Sequence, residues 1–67
     1  MAILKVIEVM SNSNSSWEDA TQQAITEASK TVKNIRSAYV HEQTAQVADG
    51  KITEYRVNVK LTFEIIH

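Results

Sequence analysis

The sequence predicts an α+β domain of β-α-β-β order, in which three antiparallel strands form a curved sheet wrapped round one helix. Three observations predict it. The chain opens on an Ile- and Val-rich run, then carries a Gly- and Pro-free stretch with helical spacing. It closes on two extended segments joined by Asp49-Gly50. At 67 residues it has room for one domain, covering residues 1–67, and none for a second core.

Residues 2–10, AILKVIEVM, suit a strand, and their imperfect alternation suggests one face buried and the other partly covered. Residues 11–16, SNSNSS, read as a polar loop that also caps the helix. Ser15 and Glu18 have the spacing of a capping box, with Ser15 accepting from the N–H of Glu18. Glu18 and Asp19 then fall in the first turn, where the helix dipole favours negative charge. The helix is expected from Trp17 to about Asn34. Its apolar stripe runs through Trp17, Ala20, Ala24, Ile25, Ala28, Val32 and Ile35, and its alanine centre allows close approach to a sheet. Lys30 and Lys33 would complement its C-terminal dipole, and Asn34 is suited to a left-handed stop.

Extended propensity takes over at residues 35–48. Asp49-Gly50 is the strongest short hairpin signal in the chain and favours a type I′ turn. Residues 51–66 alternate cleanly. Tyr55, Val57, Val59, Leu61, Phe63 and Ile65 share one face; Glu54, Arg56, Asn58, Lys60, Thr62 and Glu64 share the other. A strand of some 15 residues spans about 50 Å, whereas a compact globule of this length has a radius of gyration near 11 Å. The last strand must therefore curl strongly, overhang the domain, or both. Overhanging edges invite pairing with another chain.

Size leads to the same place. A domain this small is marginal without disulfides, a metal or oligomerisation. There is no cysteine, and two histidines, His41 and His67, are too few for a zinc site within one chain. Self-association is the stabiliser that remains. The formal net charge of −1 provides no footprint for nucleic acid, and no apolar run approaches a membrane span. Nothing at the N-terminus resembles a signal peptide, so a cytoplasmic protein is expected.

No catalytic constellation emerges, and an enzyme is not expected. The serines of residues 11–16 lie in a capping loop without a neighbouring histidine, and a single glycine cannot build a phosphate-cradling loop. Glu42, Asp49 and Glu54 do not follow calcium-loop spacing, although carboxylates from several copies could still converge at a symmetry axis. Trp17, on the apolar stripe, reads as a core or interface anchor. Arg56, mid-strand on the polar face, reads either as a cross-strand partner of Glu42 or Glu54, or as a contact to a ligand.

Taken together, K-V-I-E-V near the start, S-W-E-D-A at the helix cap, A-S-K-T-V-K-N-I-R at the helix end and G-K-I-T-E-Y-R-V-N-V-K-L-T-F-E-I at the close resemble dodecin over nearly the whole chain. The resemblance implies a hollow homododecamer that binds flavins, in some members coenzyme A, and stores them without turnover. It also exposes departures. Flavin-binding members carry a ring-stacking tryptophan where this chain has Ser37, and a flavin-bonding glutamine where it has Arg56. An Arg-Gly pair midway along the second strand is here Thr44-Ala45. Ser37 has no π face, and Arg56 can donate but not accept. Losing both is expected to weaken flavin binding by more than about tenfold.

Two functions follow as expectations. One is a storage shell for a small molecule, with riboflavin or flavin mononucleotide at an altered site lined by Ser37, Tyr39, Glu42 and Arg56; Tyr39 would offer the remaining ring. The other is a shell that binds calcium or another divalent cation, or serves structurally without flavin.

Overall fold

The computed structural model describes residues 3–65. Ala2, Ile66 and His67, read above as strand residues and terminus, lie outside the described residues. Strand β1 (Ile3–Ser13), helix α1 (Trp17–Ala28), strand β2 (Ile35–Ala48) and strand β3 (Lys51–Ile65) follow one another in the expected order. The strands form one antiparallel sheet in the order β1-β3-β2, so the cleanly alternating last strand lies at its centre.

That alternation makes the core. Val57, Val59 and Leu61 are at most 1% exposed and meet Ala20 and Ala24 of the helix. Ile7 and Val9 of β1, Val40 of β2, Trp17, Ile25, Ala28 and Ile35 close round them. The two buried alanines, Ala20 and Ala24, face the sheet, and their small side chains let the helix axis lie close to it. Trp17 is the anchor the sequence suggested. Its indole N–H donates to the Thr44 carbonyl at 2.9 Å, and its ring meets Tyr55 edge-on at 4.9 Å. Helix start and hairpin are thereby joined.

The ends of the elements differ from expectation in three places. The helix cap is Ser16, not Ser15: the Ser16 hydroxyl accepts from the Asp19 N–H at 2.9 Å. The carboxylate that would complete a capping box is drawn elsewhere. Asp19 Oδ2 accepts from the Ser13 hydroxyl at 2.6 Å and from Gln23 Nε2 at 2.7 Å, and Ser13 Oγ accepts from the Ser15 N–H. Those two donors, Ser13 first, hold the Asp19 carboxyl below its ordinary pKa, against a smaller opposing effect of desolvation.

The helix also stops at Ala28 rather than near Asn34, and its last turn holds no basic residue. The Ser29 hydroxyl bonds the Ile25 carbonyl at 2.7 Å, and Thr31 and Val32 both turn back to Ala28. Asn34 does adopt the left-handed conformation, φ 65°, but at the entry to β2. Thirdly, β1 runs on through Ser11, Asn12 and Ser13, read above as loop, because β3 pairs with it as far as Ser13–Tyr55.

The hairpin forms as predicted, with φ of 52° at Asp49 and 74° at Gly50, both positive as a type I′ turn requires. Beyond the Ser13–Tyr55 pair, β2 and β3 continue as a two-stranded arm towards that turn. The chain is 52 Å long with a radius of gyration of 13.8 Å, well above the compact value of about 11 Å. The long strand is therefore accommodated mainly by overhang. Val47 and Ile52 pair across the arm at 64% and 47% exposure.

Candidate functional site

The helix covers one face of the sheet and leaves the other bare. Because paired residues of neighbouring strands share a face, the register assigns the bare face row by row. Val6, Thr62 and Ser37 form one row; Glu8, Lys60 and Tyr39 the next. Met10, Asn58 and Glu42 follow, then Asn12, Arg56 and Thr44. Ser37, Tyr39, Glu42 and Arg56 thus all lie on the same, helix-free face.

Strict alternation would not have placed them there. Ser37 and Tyr39 share a face, as their spacing suggests, but Glu42 differs from Tyr39 by an odd number of residues. A register shift between Val40 and Glu42 leaves His41 as the extra residue and restores Glu42 to the side of Tyr39. His41 Nε2 then stands 3.6 Å from the Glu42 carboxylate. A second shift leaves Arg36 as an extra residue of β2, and a third, within the arm, leaves Thr53 as an extra residue of β3.

One face is not one pocket. Rows lie about 6.6 Å apart along the strand, so Ser37 and Arg56 are separated by about 20 Å within one chain. Glu42 and Arg56 do meet, in a hollow of about 210 Å³ lined by Met10, Glu42, Thr44, Arg56, Val57 and Asn58. Ser37 and Tyr39 stand outside it. A second hollow, of about 250 Å³, adjoins across Met10 and Arg56 and adds Ser11 and Asn12. A ligand that touched both Ser37 and Arg56 would need side chains from more than one copy.

Arg56 pairs with Glu54, two residues back on its own strand, through Nη2 at 3.1 Å, and not with Glu42 across the sheet. The residue missed by the sequence reading is Asn58. Its Oδ1 is buried with no hydrogen-bond partner, in a molecule where buried acceptors are normally satisfied. Nothing in the alternating polar residues around it along the strand separates it from Lys60 or Thr62; only the row that it shares with Met10 and Glu42 does.

Comparison with known proteins bears on this geometry directly. The family pattern of dodecin matches residues 3–66. The chain belongs to the dodecin family. A curated relative, calcium dodecin of Mycobacterium tuberculosis, is 39% identical over 66 residues, covering 97% of this chain and 92% of the relative. The crystal structure of the calcium-chelating immunodominant antigen calcium dodecin from the same organism, described with a novel calcium-binding site, superposes with a TM-score of 0.80 at 37% identity. It covers 96% of this chain and 91% of that one. Dodecin from Streptomyces coelicolor superposes with a TM-score of 0.90 at 27% identity, over 98% of this chain and 94% of that one.

This dodecin presents neither the stacking ring nor the glutamine that the family resemblance associates with flavin. Ser37 is exposed and without a π face, and the Tyr39 ring on the bare face is 63% exposed. Nor does one chain supply a cation cage. Among the described residues no three His, Asp or Glu side chains cluster, whereas calcium takes about six to eight oxygens.

Proposed function

We propose that this dodecin is a non-catalytic subunit of a homo-oligomeric shell, dodecameric like the family its sequence resembles, that sequesters a small ligand on the helix-free face of its sheet. The observation that carries this reading is the face itself. Leu4, Val6, Met10 and Tyr39 are 54–68% exposed there, on a 52 Å chain whose own core is five residues. Monomeric proteins rarely leave such a surface to solvent. Copies packed through it would bury these apolar side chains and bring Ser37 and Tyr39 of one chain towards Arg56 and Glu42 of another. Riboflavin or flavin mononucleotide is the first ligand to test, at a site altered by Ser37 and Arg56. A cytoplasmic setting fits this role.

A second reading has its own support. The relative named calcium dodecin is a curated match at 39% identity, and Glu8, Glu42, Glu54 and Glu64 lie on the bare face or its row positions. Carboxylates contributed by several copies would supply the oxygens that one chain lacks.

Size-exclusion chromatography with light scattering tests the shell. Twelve copies of a 7.5 kDa chain give roughly 90 kDa, and a stable monomer would end the proposal. On the assembled protein, quenching of riboflavin fluorescence at micromolar protein supports the flavin reading. A calorimetric response to calcium, without quenching, supports the cation.

A further inference from the structure

The turn from β1 into α1, away from the bare face, contains a chain of hydrogen bonds. The Ser15 N–H donates to Ser13 Oγ at 2.9 Å, and the Ser13 hydroxyl donates in turn to Asp19 Oδ2 at 2.6 Å. Ser13 is 6% exposed, so little water competes for its hydroxyl. Gln23 Nε2, at 2.7 Å, holds the same carboxylate oxygen in place. A backbone nitrogen is thus connected through one hydroxyl to a carboxylate, and each bond in such a chain polarises the next.

The residue before that nitrogen is Asn14, exposed where the chain bends between the two elements. An asparagine side chain is open to attack by the nitrogen of the following residue when that nitrogen gives up its proton and the following side chain is small. We propose that Asn14 is a site of spontaneous deamidation, with Ser13 and Asp19 as the relay that takes the proton from the Ser15 nitrogen. As the Ser15 proton passes to Ser13 Oγ, the hydroxyl proton passes to Asp19, and the nitrogen forms a bond to Asn14 Cγ. The side-chain Cγ–N bond breaks, and its nitrogen leaves as ammonia, recovering the proton from Asp19 through solvent. Water then opens the cyclic imide, adding its hydroxyl to one carbonyl carbon and its proton to the ring nitrogen. The product is an aspartate or an isoaspartate in place of Asn14, and Asp19 ends as it began.

The other asparagines lack part of this arrangement. Asn12 also precedes a serine, but it lies in β1 opposite Arg56, where extended pairing keeps the Ser13 nitrogen from folding back. Asn34 and Asn58 precede Ile35 and Val59, whose branched side chains crowd the approach. Conversion of Asn14 places a negative charge just ahead of α1, where the helix dipole favours it. An isoaspartate also lengthens the turn by a methylene.

Full-length protein held at neutral pH would be followed by peptide mass spectrometry for the gain of about one mass unit that replacing NH2 by OH brings. In the folded protein Asn14 is expected to convert at least about tenfold faster than Asn12. In denaturing guanidinium chloride the two Asn-Ser pairs should convert at similar rates, with Asn14 slower than in the folded state. Ser13→Ala should slow Asn14 by about tenfold, and Ser13→Thr, which keeps the hydroxyl, should preserve its rate. Slower conversion of Asn14 folded than unfolded overturns the proposal. So does an unchanged or faster rate in Ser13→Ala, or equal slowing in both variants. The folded and unfolded rates are compared on the unmodified protein and decide the matter if a variant fails to fold.

Discussion

The two faces of the sheet are built on one central strand and have opposite character. On the helix side, Val57, Val59 and Leu61 are at most 1% exposed and packed against Ala20 and Ala24. On the bare side, the alternate residues Arg56, Asn58 and Lys60 remain partly exposed, flanked by Met10 and Tyr39 at 68% and 63%. The first face is finished within a single chain. The second carries exposed apolar side chains, Leu4, Val6, Met10 and Tyr39, that none of the described elements covers. A strand with period two can thus serve folding with its odd residues and recognition with its even ones, and changes on one side leave the other's contacts in place.

The largest effect expected from breaking this division is on the covered side. Leu61→Ala would remove the largest fully buried side chain of a five-residue core and cost about 2–5 kcal/mol, measured by urea unfolding. A loss below about 1 kcal/mol would mean that the helix–sheet contact is not what holds the chain together. The bare side should respond differently. Leu4→Ser with Val6→Ser alters only half-exposed side chains of a single chain, so local stability should change little. The assembled mass should nevertheless fall. An unchanged mass would show that copies meet elsewhere.

Two smaller tests concern the hold of the helix on its face. Ser16→Ala removes the acceptor for the Asp19 N–H and should cost about 1 kcal/mol of unfolding free energy. Asp19 provides a pH signature. Its carboxyl is lowered by the Ser13 and Gln23 donors, so it binds protons less readily folded than unfolded. The stability it contributes is complete above the unfolded pKa and is lost as pH falls through the folded one. Melting temperature should therefore drop on acidification below about pH 4, and Asp19→Asn should flatten that part of the profile. An identical acid limb in the variant would locate the acid sensitivity in other carboxylates.

The order of elements, the hairpin and the core face of β3 were legible in the sequence because each rests on a local rule: helical spacing, Asp-Gly, strict alternation. The errors arose at element ends, where neighbouring residues offer nearly equivalent local patterns. Ser16 rather than Ser15 accepts from the Asp19 N–H, and the helix ends at Ala28, with the Thr31 and Val32 N–H groups both turned back to the Ala28 carbonyl. The polar run SNS became strand because β3 offered it partners. For the site, the shared face of Ser37 and Tyr39 follows from spacing, but the return of Glu42 to it depends on the extra residue at His41. Asn58 was illegible for a different reason. An unsatisfied oxygen is a property of its neighbours across two strands, and a single strand's pattern carries no trace of them.

The arm beyond the Ser13–Tyr55 pair has a consequence in time as well as in space. An isolated two-stranded ribbon is marginal in water, and among the described residues neither a third strand nor a helix backs this one. Its amides, from Gln46 to Glu54, are expected to exchange with deuterium by local opening, long before those of Val57 to Leu61. If copies clasp the arm, that fast exchange becomes slow on assembly. The same nine residues would then serve as a clock for how long each subunit stays in the shell.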